Sequence, residues 1–118
     1  MSMKTPHLET GRYGEGLARK HLEKIGHTIL DCNWRHGKGE IDIISILEPF
    51  LVITEVKTRT SASYGYPHDD VTDFKQAILV DTAEAYLLEN EIDLELRFDV
   101  ISIILKPNLS IEHIEDAF

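Results

Sequence analysis

GEIDIISILEPFLVITEVKTR, residues 39–59, carries the reading on which the fold turns. Residues 40–47 and 50–57 are β-branched and mostly apolar, with Glu48-Pro49 between them. Two such runs around a turn signal predict two strands joined as an antiparallel hairpin. Antiparallel partners move apart symmetrically from the turn, so a hairpin centred between Glu48 and Pro49 sets Asp42 opposite Glu55 and Glu40 opposite Lys57. Side chains alternate between faces, so these four charges project from one side, beyond the apolar pairs Ile44–Ile53 and Ile46–Leu51. Pro49 is awkward in a two-residue turn, but a slip of two residues keeps the four on one side.

Carboxylates directly opposite in a sheet have Cβ atoms about 4.5–5.5 Å apart and repel each other. A hard divalent cation offsets that repulsion, and Mg²⁺ takes carboxylate oxygens at about 2.0–2.1 Å while keeping several waters. Lys57, two residues beyond Glu55 on the same face, is placed to orient or deprotonate a water, or to stabilise charge on a phosphate. Residue types and spacing together point to a hydrolytic site. Glu15 adds to it, because on a helix it shares a face with Ala18 and Leu22, where a carboxylate needs a partner. That partner is either the site or an ion pair with Arg19 or Lys57. The flanking Gly14 and Gly16 weaken a helix by roughly 1 kcal/mol each, a cost consistent with close approach to the sheet or to substrate.

Outward from the hairpin, Tyr13, Leu17, Ala18, Leu22 and Ile25 recur at helical spacing, and Gly26 comes next as a natural stop, predicting a helix over 10–25. Residues 27–34 predict a strand before the hairpin. Residues 59–69 have no periodicity and predict a surface loop, and Asp70 is placed to cap the helix after it. Val71, Phe74, Ile78, Ala85 and Leu88 predict the buried face of that second helix, which ends near Asn90. A strand is expected over 94–104, with a short one near 109–114. The chain is therefore α/β, in the order α-β-β-β-α-β with a further short strand.

With 118 residues, 42% hydrophobic and 28% charged, the chain fits one compact domain and not a disordered or multidomain protein. The single cysteine, Cys32, excludes an internal disulfide framework, and the N-terminal stretch has no apolar core for secretion, so a cytoplasmic location is expected. No apolar run approaches the roughly 20 residues of a membrane helix, so no membrane partner is expected. The net charge of -9 opposes a polyanionic partner at long range. Its distribution is uneven, because residues 1–40 carry seven bases against five acids, whereas 61–118 carry three bases against thirteen acids. A solvated acidic surface accounts for the second half. The six histidines lack zinc-site spacing, and no P-loop, G-x-G-x-x-G or Ser-His-Asp arrangement occurs. Arg97 and Asp99 alternate on one strand, the pattern of a structural ion pair.

GRYGEGLA at 11–18, NWRHGKGEIDII at 33–44, EVKTR at 55–59 and RFDV at 97–100 together resemble the YraN-like family of small bacterial proteins, over nearly the whole chain. That family resembles the restriction-endonuclease-like superfamily, whose PD-(D/E)XK pattern is matched here by Ile41-Asp42 and Glu55-Val56-Lys57, and is similar to archaeal Holliday junction resolvases. The resemblance implies one restriction-endonuclease-like domain over 1–118, an α-β-β-β-α-β core with a mixed sheet flanked by helices. It implies Asp42, Glu55 and the Val56 carbonyl as ligands of Mg²⁺ or Mn²⁺, Lys57 as catalytic base or electrostatic aid, and Glu15 as an accessory catalytic carboxylate. Ile41 stands where the superfamily loosely keeps proline, and Thr54 occupies a slot that is usually apolar.

Around this centre Arg35 and Lys38 are candidates for nucleic-acid contact, as are Arg59 and the Tyr64-Gly65-Tyr66-Pro67 loop; ordinary exposed bases and loop mobility are the alternatives. Trp34 reads as a residue closing the core. Lys75 and Gln76 fall where relatives in the superfamily carry accessory residues, Lys75 as a nucleic-acid contact, and Glu40 is a further accessory candidate. The expected function is a metal-dependent endonuclease acting on nucleic acid, with structured or branched DNA as substrate class. The alternatives are a catalytically silent nucleic-acid-binding module and an acidic protein-interaction domain whose carboxylates form a structural network. Whether two copies form a homodimer, as resolvases do, stays open.

Overall fold

The structure, a computed structural model, describes residues 6–61 and 72–118. Helix α1 (Pro6–Lys24) leads into β1 (Thr28–His36), β2 (Gly39–Leu47) and β3 (Phe50–Arg59), followed by α2 (Asp73–Glu89), β4 (Glu95–Ile104) and β5 (Ser110–Ile114). This is the expected order with the short final strand. The strands form one mixed sheet in the order β1-β2-β3-β4-β5, with β3 and β4 parallel and the other neighbours antiparallel. The α-β-β-β-α-β order fits a restriction-endonuclease-like core.

α1 stops where Gly26 predicts. The Gly26 amide donates to the Glu23 carbonyl and the His27 amide to the Leu22 carbonyl, closing the last turn. The helix lays Ala18 and Leu22 on one face of the sheet, against Ile43, Ile101 and Ile103. α2 covers the other face, packing Leu79, Ala83 and Tyr86 on Ile44, Leu51, Ile53, Phe98 and Val100.

The expected helix faces need correction. Tyr13 and Ile25 are exposed, and so are Phe74 (73%) and Leu88 (81%). The stripe α2 buries is Leu79, Thr82, Ala83 and Tyr86. Two residues with polar groups enter it because those groups find acceptors: Thr82 donates to the Ile78 carbonyl at 2.7 Å, and Tyr86 donates its hydroxyl to Asp31 at 3.3 Å. Apolar periodicity alone therefore aims the helix wrongly. The cap is Thr72, whose hydroxyl accepts from the Lys75 amide at 3.2 Å, and not Asp70. Asp70, Val71 and the Tyr64–Pro67 loop lie outside the described residues.

Arg97 and Asp99 form the expected pair, at 2.8 and 2.9 Å on the α1 side of β4. Asp99 also accepts from His113 Nε2 at 2.7 Å and from the Asp116 amide at 3.1 Å. Burial raises its pKa, but the bonds from His113, Arg97 and the Asp116 amide outweigh that and hold the carboxyl down at about 2. This buried acid is fully supplied with donors.

Of the two glycines flanking Glu15, only one lies at a close approach. A methyl group on Gly14 would collide with the Thr58 side chain on β3, whereas one on Gly16 meets nothing within 4 Å. Gly14→Ala is expected to lower stability by about 1–3 kcal/mol through forced displacement of α1. Gly16→Ala should raise it by about 0.5–1 kcal/mol. Urea denaturation of the two variants checks both signs.

Candidate functional site

The hairpin has the register read from the sequence for five pairs, from Leu47–Phe50 at the turn to Ile43–Thr54. Pro49 stands at the third position of this turn, and the Glu48–Pro49 bond is cis. Beyond Ile43–Thr54 no pairing continues, and the next two residues outward are Asp42 and Glu55.

The cause lies in a break of the two-residue period in both of the first two strands. Ile41 and Ile44, three apart on β2, pack in the same layer under α2. On β1, Cys32 and Trp34, two apart, pack in opposite layers. The residues at the break are Asp42 and Asn33, and Asn33 sits at φ 53, a left-handed conformation that asparagine tolerates better than most residues. β2 turns away from β3 here, and the Val56 amide donates to Asp42 Oδ2 at 2.8 Å. The aspartate's side chain thus stands in for a strand partner at the mouth of the opening.

Around this opening the structure gathers most of the expected residues. One cavity is lined by Glu15, Asp42, Glu55, Val56, Lys57 and Arg59, together with Thr10, Gly11 and Thr58. An adjoining cavity on the α2 side is lined by Lys38, Glu40, Asp42, Glu55 and Lys75, with Gly39, Ile78 and Leu79. Lys57 Nζ lies 3.2 Å from Glu55 Oε1, both side chains being largely buried. Glu15 accepts from Asn33 Nδ2 at 3.0 Å, which ties α1 to the bend in β1.

One expectation of register changes, and two candidate residues lie outside both cavities. Glu40 does not meet Lys57; it pairs at 2.7 Å with Arg35, its partner across β1 and β2, because the divergence of β2 carries it away from β3. Arg35 is thereby turned to an exposed ion pair and lines neither cavity. Gln76 is half-buried on α2 and lines neither cavity. Sequence reasoning missed Asn33 and Thr58. The signal for Asn33 was present, as a residue suited to positive φ inside a stretch that otherwise reads as a strand.

Asp42 is the electrostatic outlier. Burial, then the adjacent Glu55, push its pKa up to about 7; the Val56 amide opposes this, and Glu15 and Glu40 add to it. Among the described residues no group of three or more His, Cys, Asp or Glu side chains is placed to hold a metal ion by itself. A cation here would have two carboxylates, main-chain oxygen and water. That donor set fits Mg²⁺ or Mn²⁺, which are hard ions that retain waters, and does not fit zinc.

Comparison with known proteins adds kinship without an activity. Residues 14–103 match the family described as "Uncharacterised protein family UPF0102". A UPF0102 protein of Flavobacterium psychrophilum is 45% identical over 113 residues, covering 95% of each chain. One from Clostridium beijerinckii is 40% identical and covers 98% of each, and one from Alkaliphilus oremlandii is 45% identical over 92% of this chain and 96% of its own. Among solved structures, Pyrococcus furiosus SfsA in complex with Ca²⁺ overlays 90% of this chain and 62% of its own, at 17% identity and a TM-score of 0.32, too loose a likeness to carry an argument.

The raised carboxyl fixes a pH dependence. Because Asp42 is a weaker acid folded than unfolded, its contribution to stability is complete below about pH 4 and is lost as pH rises through about 7. In chelator, Asp42→Asn is expected to raise the melting temperature at pH 8 by about 4 °C or more, the effect of roughly 1 kcal/mol in a domain of this size. The difference from the parent should shrink towards pH 5. Thermal melts at the two pH values measure it.

Proposed function

The chain belongs to the uncharacterised protein family UPF0102, and from that premise we propose that it is a divalent-cation-dependent nuclease hydrolysing phosphodiester bonds, with Asp42, Glu55 and Lys57 at its centre. The observation that carries this is the contrast between two aspartates. Asp99, buried but supplied with Arg97, His113 and the Asp116 amide, is held near 2, whereas burial and then the neighbouring Glu55 push Asp42 up to about 7. A purely structural ion network would resemble the first. Carboxylates crowded together at a cavity are instead the arrangement that a bound cation relieves.

In this reading Asp42 and Glu55 hold Mg²⁺ or Mn²⁺. On an extended strand the amide and carbonyl of one residue point to the same edge, so the Val56 carbonyl shares the edge whose amide meets Asp42 and would be available as a further oxygen ligand. The bound cation would supply Lewis acidity and an acidified water. Lys57, fixed by its bond to Glu55, orients the attacking water or neutralises charge on the phosphate. Glu15, anchored by Asn33, adds acceptor charge to the same cavity. The carboxylates lie between Lys38 and Lys75 on one side and Lys57 and Arg59 on the other, which gives a polyanion a local cationic rim on an acidic chain. Structured or branched DNA is the proposed substrate class, and the resemblance to resolvases motivates it.

The test is incubation of the protein with labelled branched, flapped, single-stranded and duplex substrates in Mg²⁺ or Mn²⁺. Cleavage is expected, abolished by chelator and reduced about 100-fold or more in Asp42→Asn and in Lys57→Ala. Mg²⁺ should also raise the melting temperature of the parent at pH 8 and leave Asp42→Asn unmoved. Binding that weakens with salt but gives no products would replace the nuclease with a silent binding module. Neither binding nor a Mg²⁺-dependent melt would leave the cluster as structural.

A further inference from the structure

A second groove runs into the carboxylate opening along the seam between the β1–β2 hairpin and α2. His36, Lys38, Phe74, Ile78 and Asp81 line it, and it shares Lys38, Gly39 and Ile78 with the cavity at Asp42 and Glu55. The two cavities therefore adjoin along these three residues. Two aromatic rings from different elements line this outer part. Phe74, in the first turn of α2, is 73% exposed. His36 closes a ladder of rings: Tyr86 meets the Trp34 indole edge-on at 5.0 Å, and Trp34 stacks on His36 at 5.9 Å with the planes 6° apart. The inner rings are packed in the core, but the His36 side chain is half exposed.

A lone exposed phenylalanine needs no explanation. An exposed phenylalanine sharing a groove with the open end of an aromatic stack, next to the carboxylate opening, does call for one. Charge selects the occupant. Asp81 in the groove and Glu89, 3.9 Å from His36, repel phosphate but not the neutral face of a base. Lys38 stands where the groove joins the catalytic opening, and is the residue placed for a backbone phosphate.

We propose that this groove is a subsite for an unpaired nucleobase, stacked on Phe74 and His36, so that substrate reaches Asp42 and Glu55 as a single strand or splayed end. The proposal deepens the nuclease reading and rests on it. Base faces are available for stacking only where the strand is unpaired; a stacked duplex offers its edges and phosphates instead.

Trp34 is the one tryptophan in the chain, so its fluorescence reports on the ladder directly. The full chain in chelator is titrated with a short single-stranded oligonucleotide and with the same sequence as a blunt duplex. The single strand is expected to change Trp34 emission and to bind at least about tenfold more tightly than the duplex. Phe74→Ala should weaken single-strand binding about tenfold, the usual effect of removing one stacking partner, without altering the thermal melt of so exposed a position. His36→Ala is the second variant and should act in the same direction. Equal affinity for both substrates, or Phe74→Ala and His36→Ala binding like the parent, overturns the subsite. Cleavage assays separate this from the parent reading. Phe74-dependent single-strand binding without cleavage in Mg²⁺ keeps the subsite and removes the nuclease, whereas cleavage whose strand preference ignores Phe74 does the reverse.

Discussion

One side chain in place of a strand partner organises the site. Where β2 leaves β3, the Val56 amide meets the Asp42 carboxylate. That bond satisfies a backbone donor that would otherwise be orphaned at the split. It also commits a carboxylate to a half-buried position beside Glu55, which is electrostatically unfavourable and raises its pKa to about 7. Local stability would be better served by a neutral acceptor. Keeping an acid there is intelligible if a cation completes the site.

The rest of the molecule holds this opening in shape. On one side Gly14 lets α1 close onto Thr58, which brings Glu15 over the gap, and Asn33 fixes the glutamate from β1. On the other side α2 is seated by Leu79, Thr82, Ala83 and Tyr86, which leaves Lys75 and Phe74 of its first turn facing the cleft. The Asp99 network lies across the sheet and serves another purpose. Asp99 of β4, held by Arg97, accepts from His113 of β5 and so pins the final strand. The same residue type thus takes opposite electrostatic roles, decided by what surrounds it.

The charge distribution fits this division. Most of the acidity belongs to the second half of the chain, while the cleft is bordered by Lys38, Lys57, Arg59 and Lys75. Long-range attraction for a polyanion is weak in such a molecule, so contacts within the cleft would have to supply affinity. An aromatic groove that holds a neutral base does this without demanding a basic surface.

Features dictated by local chemistry were legible along the chain. The turn at Glu48-Pro49 and the alternation beyond it set the hairpin register as far as Ile43–Thr54. The glycine after α1 set its end, and the pairing of Arg97 with Asp99 came from their spacing. Features that depend on distant partners were settled only by packing. Which stripe of α2 is buried depended on acceptors for Thr82 and Tyr86, one of them on β1, and not on apolar spacing. Glu40 went to Arg35 because β2 bends at Asp42, and that bend is shared with a left-handed Asn33 on the neighbouring strand. A two-residue period can be read along a chain, but where it breaks is set by packing of two layers on opposite faces of the sheet, and those contacts join residues far apart in sequence.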